Sequence, residues 1–323
     1  MRALGWFLAL ISLVTLLPTP ASAQAPGYVS QWGSIGSADG KFFHPLGMAT
    51  DAAGDVYIAD FGNARIQKFT GTGIYITQWG SYGNGNGQFH TAISLAIDAV
   101  GNVYVSDTSN SRIQKFNSTG GYLTMWGTFG YGDGQFNEVA GISTDPDGNV
   151  YAANSGNNRI QKFTSTGTYI TRWGSSGTGD GQFDQPFGIA TDAAGNVYVA
   201  DSGNNRNQKF AGTGTYLTQW GSFGYGNGQF DLLNELAVDA VGSVYVTDRG
   251  NNRIQKFTST GAYLTQWGSS GSGDNQFGGP YGVATDAAGN VYVVDNGNNR
   301  IQKFGYAAPA TPATWGRVKA AYR

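Results

Sequence analysis

Cysteine is absent from this chain of 323 residues, histidine occurs only at His44 and His90, and charged residues make up 12%. Without a thiol there is no disulfide, no thiolate zinc site and no cysteine nucleophile. Two imidazoles fall short of a three-histidine zinc site, and no Ser-His-Asp spacing supports a hydrolytic triad. A formal net charge of −2 argues against a broad nucleic-acid or acidic-membrane surface. Helical periodicity is missing. The one long apolar run, ALGWFLALISLVTLL at residues 3–17, is shorter than the roughly 20 residues that span a bilayer. Arg2 precedes it and Ala21, Ser22 and Ala23 follow it. Residues 1–23 therefore read as a secretory signal peptide, and the protein is expected to be exported to an extracellular, periplasmic or cell-surface location. The exported chain would keep 18 basic and 21 acidic residues. It would rely on packing and hydrogen bonds alone.

What is abundant is glycine, 51 residues, and aromatic side chains, 14%. Trp-Gly pairs fall at Trp32, Trp79, Trp126, Trp173, Trp220 and Trp267, always 47 residues apart. Asp51 and Arg65 begin series with the same step. A period of 40–50 residues points to a propeller or an array. One unit holds four short β signals. GIATD, VYVAD, RNQKF and YLTQW are separated by turns rich in Gly, Asn and Ser. Four antiparallel strands, radially repeated, make a propeller blade. Five units are complete, from Gly47, Ser94, Gly141, Gly188 and Glu235. A sixth begins at Gly282 and stops at Phe304 without its last strand, while YVSQWG at residues 28–33 is a last strand without a unit. The expected fold is all-β, a six-bladed β-propeller over residues 27–304. The N-terminal strand completes the last blade, since an open array would expose an edge and an apolar face.

GIATDAAGNVYVADSGNNR and the recurrent RIQKF resemble the NHL repeat, six times over. The resemblance implies the propeller and several function classes: RNA-binding and protein-binding modules, scaffolds, and metal-dependent lyases and hydrolases. The lyases use several histidines, which this chain lacks. RNA-binding members carry a basic face, whereas most basic residues here are repeated framework Arg and Lys. The cysteine-rich zinc domain of ubiquitin-ligase relatives is missing.

Residues shared by all units read as framework. The Trp series, the Phe of QKF and the Tyr of VY supply apolar core. Asp60, Asp107, Asp201, Asp248 and Asp295, with Asn154 as the exception, face an Arg five residues on and are expected to pair with it bidentately. DPDGN at residues 145–149 begins like a calcium loop but lacks its distal ligands. Asn207 replaces the Ile of five other copies, so it needs a partner or an exposed strand.

The units diverge in two zones, the entry to the first strand and the residue after the second. Both are expected on one face, around the channel mouth. The candidate ligand-binding residues are His44, Phe61, Glu138, Gln185, Phe187, Asn234, Glu235, Arg249 and Tyr281. Tyr82, Phe129, Tyr131, Phe223 and Tyr225 lie in adjoining loops. Aromatics beside amides and carboxylates suit a protein, peptide or glycan partner, and the protein reads as a non-catalytic binding or scaffold propeller, a monomer with no cofactor. The alternative is a calcium-dependent, lactonase-like hydrolase with Glu138, Asn234 and Glu235, helped by Gln185, around a metal. Residues 305–323 read as a Pro/Ala-rich linker and a basic tail, with Trp315, Val318 and Tyr322 on one face of a short helix that orders only on a partner.

Overall fold

The computed structural model describes residues 23–306. The signal-peptide reading of residues 1–23 and the tail beyond Tyr306 lie essentially outside these. The described chain is all-β. Strand β1 is Gly27–Trp32. Blade 1 holds β2 (Pro45–Thr50), β3 (Val56–Asp60), β4 (Arg65–Phe69) and β5 (Tyr75–Trp79). Blade 2 holds β6 (Ala92–Ile97), β7 (Val103–Asp107), β8 (Arg112–Phe116) and β9 (Tyr122–Trp126). Blade 3 holds β10 (Val139–Thr144), β11 (Val150–Asn154), β12 (Arg159–Phe163) and β13 (Tyr169–Trp173). Blade 4 holds β14 (Pro186–Thr191), β15 (Val197–Asp201), β16 (Arg206–Phe210) and β17 (Tyr216–Trp220). Blade 5 holds β18 (Leu233–Val238), β19 (Val244–Asp248), β20 (Arg253–Phe257) and β21 (Tyr263–Trp267). The short β22 (Ser269–Ser270) and β23 (Gln276–Phe277) then lead to β24 (Pro280–Thr285), β25 (Val291–Asp295) and β26 (Arg300–Gly305) of blade 6.

Each blade is a four-stranded antiparallel sheet, and the sixth has the order β1-β26-β25-β24. β1 pairs with β26 from Gly27↔Gly305 to Trp32↔Ile301, so the N-terminal strand closes the ring. The innermost strands touch their neighbours all the way round, β24 meeting β2. The Thr50 hydroxyl donates to the Thr285 carbonyl across that joint, at 2.8 Å. The second strand of every blade is buried along its whole length, which its apolar composition on both faces requires. The innermost strands begin two residues before the Gly47-type positions, because a bulge lets residues such as Leu46 and Gly47 pass without ladder partners.

The aromatic core lies between blades. Trp32 of blade 6 packs on Tyr292 of its own blade and Phe69 of blade 1, with ring centroids 6.2 and 6.1 Å apart. The Tyr of VY is more than apolar payload. The Tyr57 hydroxyl donates to Asp51 Oδ2 at 3.0 Å, Lys68 Nζ sits 4.8 Å from its ring, and the hydroxyl also reaches the Ser118 carbonyl of the next blade at 3.4 Å. Burial and the carboxylate push this hydroxyl's pKa up to about 12. For Tyr245 the counterpart of Ser118 in the next blade is Tyr306, which meets it through its side chain. Its hydroxyl lies 2.9 Å from Lys256 Nζ and 3.1 Å from the Tyr245 hydroxyl, latching the seam.

Two expectations are corrected. The Asp–Arg pairs form through one contact, as in Arg65 Nε to Asp60 Oδ2 at 2.7 Å. Arg65 Nη2 donates to two carbonyls of the Gly-rich entry loop, Ala38 and Lys41, which ties that loop to the blade, and Nη1 donates to Gln78 Oε1 of the outer strand. Asn207 has neither a partner nor exposure: it is fully buried, and both amide atoms lack a hydrogen bond. The Asp145 carboxylate of DPDGN is spent locally on Asn149 and Tyr151, like its counterparts in other blades.

Candidate functional site

The residues that diverge sit where each chain segment enters its blade. Strands one and three of a blade begin, and strands two and four end, on the same side. The entry loops and the residues after the second strands therefore share one face. Entry is made through a left-handed residue: His44, Glu138 and Gln185 have φ of 51°, 60° and 50°. A neighbouring blade's Asn holds this turn. The backbone N–H of His44 donates to Asn299 Oδ1, and that of Gln185 to Asn158 Oδ1, each at 2.8 Å.

The innermost strands carry three levels of side chains near this face. The second residues, Leu46, Ile93, Ala140, Phe187, Asn234 and Tyr281, belong to the mouth. At the third level four strands have glycine. A Cβ on Gly47 would stand 2.3 Å from the Ile93 carbonyl oxygen, and one on Gly188 2.4 Å from that of Asn234. Glycine here lets neighbouring strands approach each other. The two exceptions are Ser94 and Glu235, in blades 2 and 5, which face each other across a six-fold ring. Glu235 is 7% exposed. Burial raises its carboxyl pKa to about 8, against the opposing influence of the Ser94 hydroxyl and the Leu236 backbone N–H. Its Oε1 has no hydrogen-bond partner. The residues beyond these line a central cavity of about 250 Å³, with Met48, Leu95, Ile142 and Thr285 among its walls. Glu235 and Ser94 stand at its end nearest the variable face.

Six of the nine candidates come from the adjoining blades 4 to 6, and all of these but Gln185 gather at the mouth. Phe187 meets Tyr281 edge-on, with centroids 5.5 Å apart. The exposed Arg249 guanidinium lies 5.8 Å from the Tyr281 ring. Asn234 belongs to the strand between those bearing Phe187 and Tyr281, and its Nδ2 is buried without an acceptor. Glu235 is next to it in sequence. Phe187 is half-buried and Tyr281 buried, so Phe187 and Arg249 give this sector its accessible surface. The other four stand apart. His44 lies exposed on Phe43, at 4.6 Å between centroids. Glu138 and Gln185 are exposed at the entries to blades 3 and 4. Phe61 is half-buried in the turn Phe61–Asn63. Its position is partly structural, because Thr108, Ser202 and Asn296 use it to bond a carbonyl of the next blade. Phe129 with Tyr131, and Phe223 with Tyr225, form exposed edge-on pairs on the outer loops, 6.1 and 6.0 Å apart.

The calcium arrangement requires Glu138, Gln185, Asn234 and Glu235 to present oxygens to one point. Glu138 and Gln185 are exposed on entry loops while Glu235 is enclosed in the channel and favours its neutral form. Among the described residues no three His, Cys, Asp or Glu are grouped to hold a metal ion. These residues do not fit a calcium centre. Ser94 escaped the sequence reading; the signal for it was a departure from glycine three repeats from Glu235.

The family model for the NHL repeat matches residues 42–69, 89–116, 136–163, 183–210, 231–257 and 277–304. No curated protein matches the sequence. Among solved structures, a protein of unknown function from Bacteroides thetaiotaomicron shares 17% identity at a TM-score of 0.69, over 88% of this chain and 83% of that one. A gluconolactonase from Xanthomonas campestris shares 14% at 0.64, over 87% and 97%. A streptogramin B lyase shares 14% at 0.62, over 85% and 96%. At such identities the likeness is one of fold.

Proposed function

This chain belongs to the NHL-repeat family, and from that premise we propose that it is an exported, non-catalytic binding propeller. Its ligand, a peptide, protein segment or glycan, docks on the variable face over blades 4 to 6. The observation that carries this reading is the convergence of Phe187, Asn234, Arg249 and Tyr281. An aromatic edge-on pair supplies a rigid apolar platform. The exposed guanidinium of Arg249 is a donor, so it calls for a ligand rich in carbonyl, hydroxyl or carboxylate oxygens. The two histidines lie at the entries to blades 1 and 2, against Phe43 and Tyr82. General acid–base work in the sector would fall to Glu235, which is enclosed below the mouth.

The test is a glycan array and a peptide library probed with the wild-type protein, Phe187→Ala and Arg249→Ala. Binders should be lost or weakened about tenfold or more in both variants, the scale of a desolvated aromatic or charged anchor. Binders that both variants retain would move the site elsewhere. A calcium-dependent rise in melting temperature, abolished by Glu235→Gln, would favour the hydrolase reading instead.

A further inference from the structure

We infer that the outer loops carry two copies of a further binding site, one between β9 and β10 and one between β17 and β18, and that each takes a sugar ring of a repeating polysaccharide. The loops read GTFGYGDGQF at residues 127–136 and GSFGYGNGQF at residues 221–230. Each bears an aromatic pair, Phe129 with Tyr131 and Phe223 with Tyr225. The loops that follow blades 3 and 5 have Ser176 with Thr178, and Ser270 with Ser272, at the same positions. The loop fold therefore does not require the aromatic rings.

The four rings are 59% to 71% exposed, yet the backbone beneath them is fixed. Asn157 Nδ2 donates to the Gly130 carbonyl at 2.9 Å, and Arg159 Nη1 to that of Tyr131 at 2.7 Å. Asn251 and Arg253 make the same bonds to Gly224 and Tyr225, at 3.0 and 2.9 Å. Each loop is also closed on itself. The Gly130 N–H donates to the Phe136 carbonyl and the Phe136 N–H to that of Thr128, and Gly224, Phe230 and Ser222 repeat the pattern. A ligand would not have to order this backbone on binding. Aromatic surface held out to solvent on a rigid base marks an interaction site.

The surroundings select the ligand. Along the first loop stand the Thr128 hydroxyl and an exposed ion pair, Arg172 Nη1 to Asp133 Oδ1 at 3.1 Å. Along the second stand the exposed Ser222 hydroxyl and Asn227 amide. Neither loop contributes an aliphatic side chain, whereas a protein hot spot seats its aromatic anchor among neighbours that keep water out. A pyranose ring matches what is present. Its C–H face stacks on an aromatic ring, and its hydroxyls meet the polar groups alongside. The two copies lie two blades apart, a third of the way round the ring. A duplicated site suits a ligand that is itself repetitive. The mouth over blades 4 to 6 uses none of these four rings.

The experiment probes the full-length protein with insoluble cellulose, chitin, xylan and mannan. Isothermal titration then uses a short soluble oligosaccharide of whichever polymer retains the protein. The variants take the residues that sibling loops already carry, so the fold is kept: Phe129→Ser/Tyr131→Thr, Phe223→Ser/Tyr225→Ser, and the two combined. Wild type should be retained on at least one polymer and titrate two equal sites. Each double variant should titrate one site of unchanged affinity, and its retention on the polymer should weaken by about tenfold or more as the second attachment is lost. The combined variant should lose retention. Retention on none of the four polymers would overturn the inference. So would full retention by the combined variant, which would place the sugar elsewhere. Neither result bears on the mouth, whose own test uses Phe187 and Arg249.

Discussion

Replacing Asn207 by isoleucine should stabilise the propeller. Asn207 pairs with Ala200 on one side and Trp220 on the other, the same register in which Ile254 pairs with Thr247 and Trp267. The other five copies of this position hold a fully buried Ile, so the pocket is shaped for that side chain and overpacking is not expected. Asn207 leaves both its Nδ2 and its Oδ1 without partners. Leaving buried polar groups unsatisfied costs roughly 1–3 kcal/mol, and an isoleucine adds about 1.5–3 kcal/mol of apolar burial. Allowing for partial relaxation around the amide, a net gain of about 2–4 kcal/mol follows. At roughly 2–4 °C per kcal/mol for a domain of this size, the melting temperature should rise by about 4–16 °C. Differential scanning calorimetry of Asn207→Ile beside Ile254→Asn reads both signs: the first should melt higher and the second lower. If Asn207→Ile melts at or below wild type, the amide is not a buried liability and the packing argument fails.

Two further outcomes follow from groups at the channel and the seam. Glu235 has a folded pKa near 8 against an ordinary value of 4.5. The folded state thus keeps a proton that the unfolded chain releases. Its contribution is full below about pH 4.5 and is lost as pH rises toward 8, a fall of up to about 4–5 kcal/mol at 1.36 kcal/mol per pKa unit. Glu235→Gln should flatten that decline in urea-melt stability between pH 5 and 8; an unaltered slope would mean the carboxyl is hydrated or paired. Tyr306→Phe removes the acceptor of Lys256 and the partner of Tyr245 and should cost about 1–3 kcal/mol, read as a lower melting temperature.

The ring was legible in the sequence because each blade is short, punctuated and repeated at a constant step. YVSQWG at the front and RIQKF at the back were each one half of a blade. What was not legible needs the third dimension. A step of 141 residues between Ser94 and Glu235 becomes opposition only in a six-fold circle. Tyr57 reads as an apolar strand residue, yet its hydroxyl reaches Asp51 and the next blade. The bulge at Leu46 and Gly47 leaves no mark in an alternating pattern, because both neighbours are needed to see the missing ladder bonds. Of the candidate residues, those in strands, Phe187, Asn234 and Tyr281, were placed by the repeat. The loop residues His44, Glu138 and Gln185 depended on a left-handed turn that composition does not announce.

The account rests on β1 closing the ring beside β26, and a cysteine-free chain allows that pairing to be read by a single cross-link. Ser30 and Lys303 are register partners, within the Cα separation a disulfide needs. In the Ser30→Cys/Lys303→Cys protein, mild oxidation should give a monomer with one intramolecular disulfide and a raised melting temperature. Thiols that stay free, or that join only different molecules, would contradict the closed propeller.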